Sequence, residues 1–193
     1  MKKTLALTTI LVGLAGAASA QDCSIDAGQD PWDLTSDEVS AVYDCVEAEL
    51  AAGYAAGDNP VAAEYRDWAV TATLPGLAGP HSSRFLMTFA NDVAAEPYRN
   101  YEISEEFAMP AGSILAKESF SFRDTGAVRR GPLFIMEKVA AGTADEYGNW
   151  VYSAVQPNGN PMGISQSFCH DCHVAYYDQD NLGYPLPDLR IGN

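Results

Sequence analysis

Apolar positions recur at helical spacing early in the chain and at strand-like spacing later. Val39, Val42, Tyr43, Val46 and Leu50 follow Thr35-Ser36-Asp37-Glu38, so the pattern predicts an amphipathic helix opened by a capping box, with Gly53 as its stop. Gly57-Asp58-Asn59-Pro60 reads as a turn, and Pro60 suits the first position of a short helix reaching Trp68. Residues 74–80, rich in Pro and Gly, read as a loop. Four segments, 83–90, 113–122, 132–139 and 149–155, are rich in Phe, Ile, Val and Tyr and bounded by Gly, Pro, Asn and Asp, the signature of strands. A short helix is expected over 92–101, interrupted or started near Pro97, and another over 166–176. Sequential strands with short links favour an antiparallel sheet. The expected fold is therefore α+β: mainly antiparallel β-sheet, flanking helices and a functional helix near the C-terminus.

The first twenty residues break this pattern. Lys2 and Lys3 precede an apolar run over 5–17, and Ala18-Ser19-Ala20 supplies a small-x-small cleavage site. A membrane span would need roughly twenty apolar residues, and Gln21-Asp22 arrives too soon. A cleaved signal peptide over 1–20 is expected, with export to a periplasm, an oxidising compartment, and no membrane span after cleavage. The whole chain of 193 residues carries 11 Lys+Arg against 26 Asp+Glu, a net charge of −15. That balance excludes nucleic acid as a partner, because phosphate binding needs clustered cations.

Cysteine usage then points to chemistry. Cys169-His170-Asp171-Cys172-His173 is C-x-x-C-H, the attachment signature of a c-type haem. Two thiols three positions apart on a helical turn can both reach one porphyrin edge, and His173 then falls under the iron. A redox C-x-x-C would open a helix in a thioredoxin-like βαβ pattern, and a zinc site would want a second Cys/His pair; neither is present. One covalently bound haem c is expected, with Cys169 and Cys172 as thioethers and His173 as axial ligand. Cys23 and Cys45, 22 positions apart, are expected to form a disulfide tying the mature N-terminus to the first helix.

The haem motif lies near the C-terminus and no Met follows it, unlike a small electron-carrier cytochrome c. A sixth ligand would have to come from upstream: His81, Met87, Met109, Met136 or Met162. None stands out in sequence, so an open or water-held sixth position is expected, which favours ligand binding or chemistry over simple electron carriage.

An ordered set of further pieces resembles the cytochrome P460 family, which includes the cytochrome c-prime-beta proteins. These are Tyr65-Arg66-Asp67-Trp68, His81-Ser82-Ser83-Arg84, Pro110-Ala111-Gly112-Ser113-Ile114-Leu115-Ala116-Lys117-Glu118, Met136-Glu137-Lys138, Gly148-Asn149-Trp150 and the haem motif, together spanning roughly 60–176. The N-terminal segment (21–56, with the disulfide) lies outside the resemblance, which assigns 57–193 to the haem domain. The resemblance implies a β-sheet holding one five-coordinate haem. In the P460 branch a lysine is joined to a porphyrin meso carbon and the enzyme oxidises hydroxylamine; that lysine corresponds to Lys117. In the c-prime-beta branch the crosslink is missing, and apolar aromatics cap an iron that binds nitric oxide or carbon monoxide.

Read from the residues, Lys117 shares a strand face with Leu115, Ser119 and Ser121, opposite a mostly apolar face of Ile114, Ala116, Phe120 and Phe122 that also holds Glu118. By that alternation Lys117 faces solvent; by the resemblance it faces haem. The family's pocket carboxylate falls near Phe134, with Glu137 three positions on. Phe134 toward the iron would favour gas binding, and Glu137 toward it would favour proton-coupled oxidation. Arg84 is a further pocket candidate. The leading expectation is oxidation of hydroxylamine or a similar small nitrogen compound, with Glu137 or Glu118 as base and electrons passing to a periplasmic redox partner. A gas-binding cytochrome is the alternative and an electron-transfer cytochrome the third reading. A homodimer is compatible with all three.

Overall fold

A computed structural model describes residues 23–192, so the signal-peptide segment lies outside the described residues. Among these residues the chain forms four α-helices and a seven-stranded sheet. The helices are α1 (Ser36–Tyr54), α2 (Pro60–Glu64), α3 (Asp92–Arg99) and α4 (Gln166–His173). The strands are β1 (Ala69–Val70), β2 (Gly76–Ala78), β3 (Arg84–Ala90), β4 (Ile114–Phe122), β5 (Val128–Arg130), β6 (Leu133–Lys138) and β7 (Trp150–Val155). Every pairing is antiparallel, and the backbone of the sheet runs β1-β3-β4-β6-β7. The fold is α+β and mainly antiparallel.

The four expected strands each lie within a residue of β3, β4, β6 and β7. Three short strands escaped the pattern. β1 and β2 share the outer edge of β3, and β5 takes the stretch of β4 that β6 leaves free. Gly76–Ala78, expected as loop, is thus a strand, because β3 offers it a paired edge despite the Pro and Gly around it.

The capping box of α1 is present: Thr35 accepts from the Glu38 amide, and Glu38 accepts from the Thr35 amide at 2.8 Å. α1 runs one residue past Gly53, whose role is proximity, not termination. A Cβ there would stand 2.3 Å from the Pro157 carbonyl oxygen, so only glycine lets α1 approach the turn after β7. The Cys23–Cys45 disulfide forms. It ties α1 to a segment that also bonds the β4–β5 turn, where Val128 N–H donates to Cys23 O and Ile25 N–H to Gly126 O, both at 3.0 Å.

The sheet is covered on both faces, and the alternation along each strand decides what goes where. One face packs Phe85, Met87, Phe89, Ala116, Phe120, Leu133 and Ile135 against Val39, Val42, Val46 and Leu50 of α1. The N-terminal segment therefore shares this core with the sheet. Glu118 lies on this face, 1% exposed, and is satisfied there. It accepts from the Tyr43 hydroxyl at 2.6 Å, from the Tyr65 hydroxyl, and from Arg66 at 3.0 Å, while Arg66 also pairs with Glu47 at 2.7 Å. The opposite face carries Ala90, Leu115, Met136, Trp150 and Tyr152 under α3, α4 and the C-terminal segment.

Glu118 thus welds α1 and the residues after α2 to the central strand. Glu118→Ala removes the acceptor of two tyrosine hydroxyls and one of the two carboxylates that pair with Arg66, and should cost about 3 kcal/mol. A thermal melt should show a fall of roughly 10 °C at this chain length. A melting point within a degree or two of the parent would contradict the role.

Candidate haem site

The C-x-x-C-H residues ride on α4, whose N-cap Ser165 accepts from the Phe168 amide at 3.2 Å. Gln166, in its first turn, fixes the helix to the sheet. Its side chain accepts from Tyr152 N–H at 2.7 Å and donates to Tyr152 O at 2.8 Å, replacing the partner strand that β7 lacks on that edge. α4 is thereby held across the sheet face that bears Lys117.

Between them lies a cavity of about 480 Å³, a size suited to a cofactor. Its floor is a row of directly paired residues: Thr88 beside Lys117, and Lys117 beside Phe134. Leu86, Met136 and Tyr152 extend that floor, while Cys169, Cys172 and His173 form the α4 wall. The loop residues His81 and Tyr184 line it too. Both cysteines are unpaired thiols.

His173 is 9% exposed, and its Nδ1 lies 2.7 Å from Asn181 O. A carbonyl only accepts, so Nδ1 carries the proton and Nε2 keeps its lone pair, the arrangement a metal-ligating histidine needs. Asn181 is aimed by an unusual backbone. Asp180 and Asn181 both adopt left-handed φ values, 54° and 61°, which non-glycine residues rarely take. Three contacts hold that turn. Lys138 pairs with the Asp180 carboxylate at 2.7 Å, Met109 N–H donates to it at 2.8 Å, and the Trp150 indole donates to Asp180 O at 2.8 Å. Sequence reasoning missed Asp180, Asn181, Tyr152 and Gln166. Two of these act through backbone atoms, which leave no side-chain signature, though Lys138 and Trp150 stood among the resembling pieces.

Lys117 is 5% exposed, so the solvent-facing expectation from alternation is corrected. Its face looks polar in sequence because it lines a cavity roofed by α4 and the C-terminal segment. Its Nζ donates to Gly183 O at 3.2 Å, and burial lowers its pKa to about 8. Phe134 lines the cavity on the next strand. Glu137 does not: it is exposed, on the β6 face opposite Phe134 and Met136. Glu118 is likewise on the far side of the sheet, engaged by Tyr43, Tyr65 and Arg66. Neither carboxylate proposed as a base reaches the site, since each has the strand parity opposite to the cavity residues. Arg84 lines the cavity and is not on a sheet edge, because β2 pairs outside it. Of the sixth-ligand candidates, His81, Met136 and Met162 line the cavity; Met87 is buried on the α1 face, and Met109 is buried beside Trp150 and Leu182.

These residues suit a c-type haem: two free thiols and an oriented imidazole on one wall, over a floor in which Leu86, Phe134 and Met136 flank Thr88 and Lys117. The buried Arg84 Nη1 and the Tyr152 hydroxyl, both on cavity-lining residues, lack a hydrogen-bond partner, as expected of groups awaiting a polar-edged ligand. Comparison with known families matches residues 62–182 to Cytochrome P460. The chain belongs to the cytochrome P460 family. The matched region runs from α2 to the turn that orients His173, and cytochrome P460 membership brings with it a haem c cofactor. No curated protein matches the chain. Among the described residues, no helix is long and apolar enough to cross a membrane.

Two cavity imidazoles resist protonation. Burial, reinforced by the Lys117 charge, lowers His81 to about 3 and His173 to about 4. Unfolded, both would titrate near 6.5, so between these values only the unfolded chain takes up protons. Stability is full above pH 6.5 and is lost as pH falls toward 4. Denaturant midpoints of the haem-free chain, in which neither imidazole is held by iron, should give roughly 1 kcal/mol less stability at pH 5 than at pH 7 from His81 alone, allowing for its partial exposure. His81→Phe should remove that part of the pH dependence. An unchanged pH slope in the variant would contradict the assignment.

Proposed function

We propose that this cytochrome P460 family member is an exported, periplasmic mono-haem protein that binds a small diatomic ligand, nitric oxide or carbon monoxide, in the cavity under α4. The observation that carries the reading is the character of the floor: Phe134 and not a carboxylate stands beside Lys117. Haem c supplies an iron centre for the diatomic ligand. The chain's own groups do the rest. Cys169 and Cys172 anchor the ring, His173 offers Nε2 toward the metal, and Asn181 O fixes that imidazole's tautomer and direction. Phe134, Leu86 and Met136 keep the ligand side apolar and short of water. With Glu118 and Glu137 both outside the cavity, the proton acceptor that hydroxylamine oxidation needs is not supplied by either residue.

A second reading, hydroxylamine oxidation by a haem crosslinked to Lys117 and discharged through a periplasmic redox partner, is favoured by one observation. The Lys117 amine is buried in the cavity with a lowered pKa. Such a bond would replace a meso C–H by C–N, releasing two protons and two electrons to an external oxidant.

Intact mass of protein exported from cells competent in cytochrome c maturation should equal the chain from Gln21 plus one haem. A haem-free mass would overturn the proposal. Tryptic mapping should then return the Lys117 peptide free of haem, and hydroxylamine with an artificial acceptor should give no turnover. A single haem peptide joining the Lys117 and Cys169–His173 segments, with turnover, would transfer the protein to the second reading.

A further inference from the structure

We propose that His81 is the second axial ligand of the haem iron, opposite His173, so that an incoming diatomic ligand must displace it. The inference rests on the haem reading above and goes beyond it, because the sequence alone favours an open sixth position. The His81 and His173 ring centres lie 6.2 Å apart with their planes at 83°. A metal–imidazole bond is about 2 Å, so a ring centre sits about 3 Å from the metal it ligates. Two imidazoles sharing one iron along a straight axis therefore have centres about 6 Å apart. A distal histidine that only hydrogen-bonded to a bound diatomic ligand would need about 2 Å more. The observed separation fits direct ligation.

Local structure places His81 there with little freedom. It ends a 3-10 turn, Gly79–His81, with Pro80 in its middle, and the next two residues, Ser82 and Ser83, have left-handed φ values of 59° and 50°. Backbone strain of this kind persists where the surroundings over-determine it, often at ligand sites. Phe134 meets the imidazole edge-on at 4.8 Å, bracing it from the floor. Among the described residues neither ring nitrogen of His81 has a hydrogen-bond partner, so a lone pair is free for a metal.

The test uses the holoprotein, its covalent haem first verified by mass, so that loss of the haem reading is seen separately. Ferric protein at pH 7 should be low-spin, with the electron paramagnetic resonance and near-infrared signature of two nitrogen ligands. His81→Ala should become high-spin, and added imidazole should restore the low-spin spectrum. After reduction, the observed carbon monoxide binding rate should plateau with gas concentration in the parent and rise linearly, at least tenfold faster, in His81→Ala. A high-spin ferric parent would overturn the proposal, as would a low-spin spectrum untouched by His81→Ala. A His/Met near-infrared band would also overturn it, reassigning the position to Met136 or Met162.

Discussion

Strand β4 is buried on both faces, and that single constraint organises the molecule. Lys117 and Glu118 are neighbours in sequence, yet the pleat sends them to opposite sides of the sheet. Each is a charged group in a buried position, so each needs its own solution. Glu118 receives a complete set of donors, and those donors come from α1 and from the turn after α2. Lys117 receives one carbonyl and a cavity. The structural face and the functional face are thus divided along one strand. A register slip of one residue would exchange them and leave both charges without their partners.

On the functional side, precision is built outward from backbone contacts. The Lys138–Asp180 pair and the Trp150 indole hold a left-handed turn, that turn presents Asn181 O, and Asn181 O fixes His173. On α4 itself, Gln166 bonds both backbone polar groups of Tyr152 on the open edge of β7. A metal ligand placed by a helix alone would inherit the fraying of an eight-residue element. Here Asn181 O, held by Lys138 and Trp150 of the sheet, grips the ring from the side opposite its helix, so the imidazole is held from two directions.

Much of this was legible in the amino-acid pattern. The capping box at Thr35, the four long strands, the Cys23–Cys45 pairing and the C-x-x-C-H helix follow from local rules, because each depends on residues near one another or on a fixed spacing. What resisted reading depended on distant partners. β1, β2 and β5 are two or three residues long and exist through the edges that β3 and β4 offer. Lys117 read as part of a wet strand face, since a cavity with polar groups and solvent select the same residue type. Glu137 and Glu118 were plausible bases by chemistry, but parity in the sheet sets both away from the cavity. Asn181 acts through a carbonyl, which any residue carries.

The chemistry follows from what the cavity wall lacks as much as from what it holds. Its named polar side chains are cationic or neutral, Arg84, Lys117, Thr88, two neutral imidazoles and the tyrosines Tyr152 and Tyr184, set among Leu, Phe and Met. Such a lining favours a neutral diatomic ligand over a substrate whose protons must be removed. The most direct test is a crystal structure of the holoprotein with the metal located by anomalous scattering at the iron edge. The account predicts one iron in the cavity, bonded to His173 Nε2, with continuous density from the porphyrin to Cys169 and Cys172. Iron lying elsewhere, or a His173 ring turned away while still bonded to Asn181 O, would contradict it.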